Sequence, residues 1–179
     1  ELEDENFVDL NVVKKGNVFG IKYTFEKSDG LQSFSIPCNK KISVSALDPK
    51  ESIDSIFHYS GSIEGFSYVS PSDFKELSPL KGYQLRLKKG EGPITLTANC
   101  ISAPEEAPPI KISELSGVPE LKEGWNLIGI SGLESIGQDE LINTPVTKTV
   151  KEVYVLSSVD KKLTTEDLEP GKAYWVLVG

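Results

Sequence analysis

The chain has 179 residues, is 38% hydrophobic, and carries a formal net charge of −8 with one His, two Cys, no Met and a single Arg, Arg86. That is enough apolar material for a packed core, while the acidic balance argues against nucleic acid as a partner, because phosphate binding needs clustered cations to displace counterions. No apolar run approaches the roughly 20 residues that cross a bilayer as a helix, so no transmembrane segment is expected in this chain.

The chain opens on Glu1 in the acidic run ELEDEN, which reads as a frayed terminus. The absence of Met fits either a trimmed sequence or one that has lost an export signal. FVDLNVV at 7–13 and NVFGIKYTFE at 17–26 flank a short Lys and Gly-containing turn, the pattern of a β-hairpin. From residue 30 onward the chain is written twice. GLQSFSI at 30–36 matches GWNLIGI at 124–130, IDSIFHYS at 53–60 matches VKEVYVLS at 150–157, and LSPLKGYQLRL at 77–87 matches LEPGKAYWVLV at 168–178. Equivalent positions lie 94 apart in the first block (Gly30 and Gly124), 97 in the second (Ile56 and Val153) and 91 in the third (Tyr83 and Tyr174). The length differences therefore fall between blocks, as loops vary around retained strands.

Each block is rich in β-branched and aromatic residues and is bounded by Gly, Pro, Ser, Asn or Asp, so each predicts a strand. SVSALD at 43–48 and QDELIN at 138–143 have room for one or two helical turns. In the first unit FSYVS at 66–70 adds a strand, and GYQLRLK with PITLTAN at 93–99 supplies its two terminal strands. SAPEEAPPI concentrates Pro and Glu and marks a linker. The expected organisation is a hairpin plus first β-rich unit over 1–102, a linker at 103–109 and a second unit over 110–179. The class is mainly β, or α+β with minor helix.

In the repeated turn, Pro79 and Pro170 fix a backbone dihedral before a strand, and Gly82 and Ala173 keep a small residue where turn meets strand. Tyr83, Leu85 and Leu87, like Tyr174, Val176 and Val178, should share the core face. Gly30 and Gly124 give a tight entry to the opening strand. Lys81 and Lys172 are expected to be solvated, with their stems over an aromatic ring. The opposite face changes from Gln84 and Arg86 to Trp175 and Leu177. That apolar strip needs cover, from within the chain, from another protein, or from a sugar stacked on Trp175.

Cys38 and Cys100 stand at the edges of the first unit, and neither has C-x-x-C spacing. A single disulfide, worth roughly 4 kcal/mol of loop entropy, is expected, with two buried thiols as the alternative. With only His58 to draw on, neither a zinc site nor a nucleophile–His–acid arrangement is expected, and no phosphate cradle or calcium loop is written in the chain. No catalytic residue, metal or cofactor is assigned.

The residues G-W-N-L-I at 124–128 and P-G-K-A-Y-W-V at 170–176 resemble the tandem GWN…GKGYW modules of archaeal surface-layer and other cell-envelope proteins, which are also appended to secreted bacterial proteins. The resemblance covers about 30–100 and 124–179. It is clear in the second unit and degraded in the first, where Leu31 and Gln84 replace the two Trp; Ala173 stands where the family usually has Gly. It implies a noncatalytic structural module, extracellular or at the cell surface, partnered by copies of itself or by other envelope proteins. The second expectation is an adhesion module of a secreted protein that binds glycan or protein.

Overall fold

Segments that place apolar residues at every second position, punctuated by Gly and Pro, bury one face most readily as strands, and the protein is mainly β. A computed structural model describes residues 9–15, 18–25, 31–38, 40–59, 68–69, 75–88, 94–100, 124–130, 132, 135–137, 150–156, 161–163 and 167–178. Gly30, the ELEDEN run, the linker at 103–109 and the segment at 138–143 lie outside them. Among the described residues there is no α-helix. The first expected helical segment holds one 3₁₀ turn, Val44–Ala46, which begins where Ser43 Oγ accepts the Ser45 N–H at 3.2 Å, and a second follows at Lys50–Ser52.

Strands β1 (Asp9–Lys15) and β2 (Val18–Phe25) pair antiparallel from Asp9↔Thr24 to Lys15↔Val18. Strand β9 (Ile94–Cys100) completes this N-terminal sheet in the order β1-β2-β9. The sequence reading made PITLTAN a terminal strand of the first unit; it pairs instead with the hairpin, outside that unit's sheet. The reason lies in available edges: β8 (Gly82–Leu87) has both of its edges occupied, by β3 (Leu31–Ser35) and β5 (Ile53–Tyr59), whereas β2 offers an unbroken ladder from Phe19↔Cys100 to Phe25↔Ile94.

The first unit is a four-stranded sheet in the order β3-β8-β5-β6, with β6 at Tyr68–Val69. The second is β10-β13-β11-β12, from β10 (Gly124–Gly129), β11 (Val150–Leu156), β12 (Lys161–Leu163) and β13 (Ala173–Val178). Each places its strands in the order first, fourth, second, third. The register slips at the same place in both, between Ile53 and Ser55 of β5 and between Val150 and Glu152 of β11. A short ladder of β4 (Ile42–Ser43) with β7 (Glu76–Leu77) pairs Ile42 with Leu77, and the bridge Ile136↔Leu168 repeats that pairing in the second unit.

The core faces follow the alternation. Tyr83, Leu85 and Leu87 are buried with Phe34, Ile56, Leu47 and Leu77 against Ile21, Tyr23 and Phe25 of β2, and Tyr23 meets Phe34 edge-on at 5.6 Å. Tyr174 and Val176 are likewise buried in the second unit. The first unit's sheet thus has the N-terminal sheet on one face, which leaves its other face to meet the second unit.

Candidate functional site

The two L-x-P-x-K-[G/A]-Y stretches form the same turn. Over Ser78–Lys81 and Glu169–Lys172, Pro sits second and the third residue has positive φ, 65° at Leu80 and 83° at Gly171, which defines a type II turn. Lys172 N–H closes the second turn onto Glu169 O at 3.4 Å. The Tyr five residues on fastens each turn: the Ser78 N–H donates to the Tyr83 hydroxyl at 2.7 Å, and the Glu169 N–H donates to Tyr174 at 2.7 Å. Leu77 and Leu168, which open the motif, are fully buried. Lys172 lies against Glu169 as an ion pair and Lys81 is half-buried, with its backbone bridged to Ile128.

These turns are also the contact between the units. Gly129 N–H donates to Leu80 O at 3.0 Å, and Ser35 N–H donates to Gly171 O at 2.9 Å. Ser35 and Gly129 occupy the same place in their units, as do Leu80 and Gly171, so the two bonds are one contact made in both directions. Ser35 binds further: its hydroxyl donates to Lys172 O at 2.6 Å, and its carbonyl accepts from Tyr23 OH at 2.9 Å. One serine therefore joins the N-terminal sheet and both units.

Close approach explains the small residues here. A Cβ on Gly82 would lie 2.7 Å from Leu127 Cγ and 2.8 Å from Ile128 O, and a Cβ on Gly129 would collide with Ser35. Beside this crossing, Leu127, Ala173 and Trp175 pack with Tyr59 and Trp125. Trp175 is 1% exposed, edge-on to Tyr59 at 4.8 Å and to Trp125 at 6.4 Å, so the second unit's apolar strip is covered within the chain at Trp175. Leu177, paired with Trp125 across β10 and β13, is half-buried. On the first unit's side of this contact Ser33 and Gln84 are cross-strand partners and both are buried; among the described residues Ser33 Oγ and Gln84 Oε1 have no hydrogen-bond partner.

Burial drives the Tyr23 phenol well above its ordinary range and pushes Tyr83 up to about 12, a rise that the Ser78 hydrogen bonds partly offset. His58 is half-buried on β5, its ring 6.3 Å from that of Tyr83, and Arg86 lies 5.6 Å over the Phe57 ring. Cys38 is buried in the first unit's core, and Cys100 ends β9 opposite Phe19. Among the described residues no group of His, Cys, Asp and Glu is placed to hold a metal ion, and no helix is long and apolar enough to cross a membrane. The hydroxyls of Ser35, Tyr23, Tyr83 and Tyr174 each bond a backbone group, so the arrangement positions turns and edge strands.

Of the turn residues expected from sequence, Gly82 and Ala173 meet at this contact, Lys81 and Lys172 reach it through their backbones, and Pro79, Tyr83, Pro170 and Tyr174 shape the two turns that form it. Gly124 stands apart at the start of β10 with φ of 93°, and among the described residues nothing lies within 4 Å of where its Cβ would be. Sequence reasoning did not single out Ser35, Gly129 or Tyr23. The signal for the first two was present, a small residue at the sixth place of both GLQSFSI and GWNLIGI. No family model, no curated protein and no solved structure matches the chain.

Proposed function

We propose that this chain is a noncatalytic structural module of an archaeal surface-layer-like protein, acting in assembly or spacing at the cell envelope, with copies of itself or other envelope proteins as partners. One observation carries the reading: the repeated motif, the part of the sequence that resembles such modules, is spent on turns and on docking one unit against the other. Its Tyr hydroxyls cap turn amides, and its third turn residues accept the other unit's edge amides. The carbohydrate reading loses its best platform, because stacking on Trp175 requires a ring face that the chain itself covers.

An extracellular setting goes with a Cys38–Cys100 disulfide. No described cysteine is free, and Cys38 lies in the core that the first unit shares with the N-terminal sheet, whose strand β9 ends at Cys100. Intact mass before and after reduction tests the bridge: a gain of two hydrogens is expected. The functional reading is tested by raising the concentration of the purified chain with and without divalent cations, which screen its net charge of −8. Ordered multimers or sheets by electron microscopy support it; strictly monomeric scattering throughout counts against it.

A further inference from the structure

We infer that the docking of the two units is exchangeable between copies, so that the second unit of one chain seats on the first unit of another. Three observations lead there. The contact is reciprocal: Ser35 N–H to Gly171 O and Gly129 N–H to Leu80 O are made by equivalent positions of two similar sheets. Such a contact has the self-complementary form of a two-fold dimer interface, and a second copy satisfies every group in it as well as the first does. The contact is also the smaller cluster among the described residues, with Leu127, Ala173 and Trp175 packed by Tyr59 and Trp125. The core under the first unit runs from Ile21 to Leu87 and is shared with the N-terminal sheet. Separating the units therefore leaves that core intact. Finally, residues 101–123 join β9 to β10, and a chain of that length reaches up to ~80 Å when extended, far enough to serve a neighbouring copy.

The tether sets when exchange occurs. A linked partner competes at an effective concentration in the millimolar range. Dilute chains close on themselves, and chains crowded to that level exchange, producing dimers, or open strings when the exchange does not close. The partner surface is the first unit's face around Ser35, Gly82 and Tyr59, and its occupant is the Leu127–Trp175 face of a second copy.

The test blocks closure in two full-length variants. Gly82→Leu obstructs the first unit's face, where an added Cβ already meets Leu127, Ile128 and Ala173; Gly129→Leu obstructs the second unit's face at Ser35. Neither variant can close on itself, yet the intact second unit of the former fits the intact first unit of the latter. Each alone should scatter light as a monomer and the mixture should double in mass; a mixture that stays at monomer mass while both variants retain their sheet signal in circular dichroism overturns the inference. If a variant fails to fold, isotope-labelled and unlabelled wild-type chains decide. Mixed at ~1 mM and then diluted, they should give slowly dissociating dimers of mixed mass that Trp125 and Trp175 emission reports as docked. Their absence also overturns it. The inference rests on the interface and not on the envelope role: exchanged dimers without ordered arrays would defeat that role and leave the exchange standing.

Discussion

The amide of Ser35 meets the carbonyl of Gly171 at 2.9 Å across the two units, and the equivalent bond from Gly129 to Leu80 is 3.0 Å. Edge strands leave backbone groups that need partners, and here each edge strand, β3 and β10, ends on the other unit's turn. The positive φ at the third turn position belongs to the residue whose carbonyl accepts this bond, so the turn geometry and the docking are a single requirement. Gly171 meets it without strain. Leu80 meets it at a cost on the order of 1 kcal/mol for an L side chain in the left-handed region, offset by burying that side chain to 4% exposure.

The Tyr hydroxyls should be worth similar amounts in the two units. Tyr83→Phe and Tyr174→Phe each leave a turn amide, of Ser78 or Glu169, without its 2.7 Å acceptor while keeping the buried ring. Each should lower unfolding stability by about 1 kcal/mol, read from urea midpoints. A loss in one unit alone would show that the two turns are not equivalent.

Two glycines separate strain from crowding. At Gly124 the φ of 93° disfavours any Cβ but no described residue lies within 4 Å of one, so Gly124→Ala should cost about 1 kcal/mol. At Gly129 an added Cβ strikes Ser35 and lies 3.0 Å from Lys81 O, so Gly129→Ala should cost about 2–3 kcal/mol. Only the second substitution should also shift Trp emission to the red, because it pries apart the contact that covers Trp175.

What the sequence discloses follows from which forces are local. The alternation of Tyr83, Leu85 and Leu87 and the Pro–x–Lys turn are local, and the strands, faces and turns they imply are in place. The matched blocks name the strands but not their order in the sheets, which is β3-β8-β5-β6 in one and β10-β13-β11-β12 in the other. The placement of β9 is a competition between distant edges, decided by the occupancy of β8, and no feature of PITLTAN reveals it. Strand β12 is three residues long, too short for a periodic signal. At the contact, Gly82 and Ala173 are legible as small residues, but that they face Leu127 and each other depends on how two sheets cross.

Alkaline pH should weaken the fold through its buried phenols. Tyr83 has an ordinary value near 10, is raised to about 12 by burial, and so keeps its proton in the folded state after the unfolded chain has lost it. Its stabilising contribution is complete below pH 10 and is lost as pH rises toward 12, amounting to about 2–3 kcal/mol. Tyr23 acts in the same direction and to higher pH. Urea midpoints between pH 9 and 12 should fall more steeply for the wild type than for Tyr83→Phe; parallel slopes would assign the loss to other groups.

Ser33 is the position at which a loss of chemistry should raise stability. Its hydroxyl is buried with no hydrogen-bond partner among the described residues, on the face where the second unit has Leu127, and its cross-strand partner Gln84 stands where the second unit has Trp175. A buried hydroxyl left unbonded costs about 1–3 kcal/mol relative to water, whereas a methyl group there costs nothing in hydrogen bonding. Ser33→Ala should therefore stabilise the protein by up to about 1 kcal/mol, after the weaker strand preference of Ala is set against the gain. That corresponds to a rise of roughly 2–4 °C in melting temperature for a chain of this size. Gln84→Met, which keeps the length and removes the buried acceptor, should move stability the same way. If Ser33→Ala instead lowers the midpoint, the hydroxyl holds a bond across the contact, and Gln84→Met in the Ser33→Ala background identifies its partner: the second substitution then costs less than it does in the wild type.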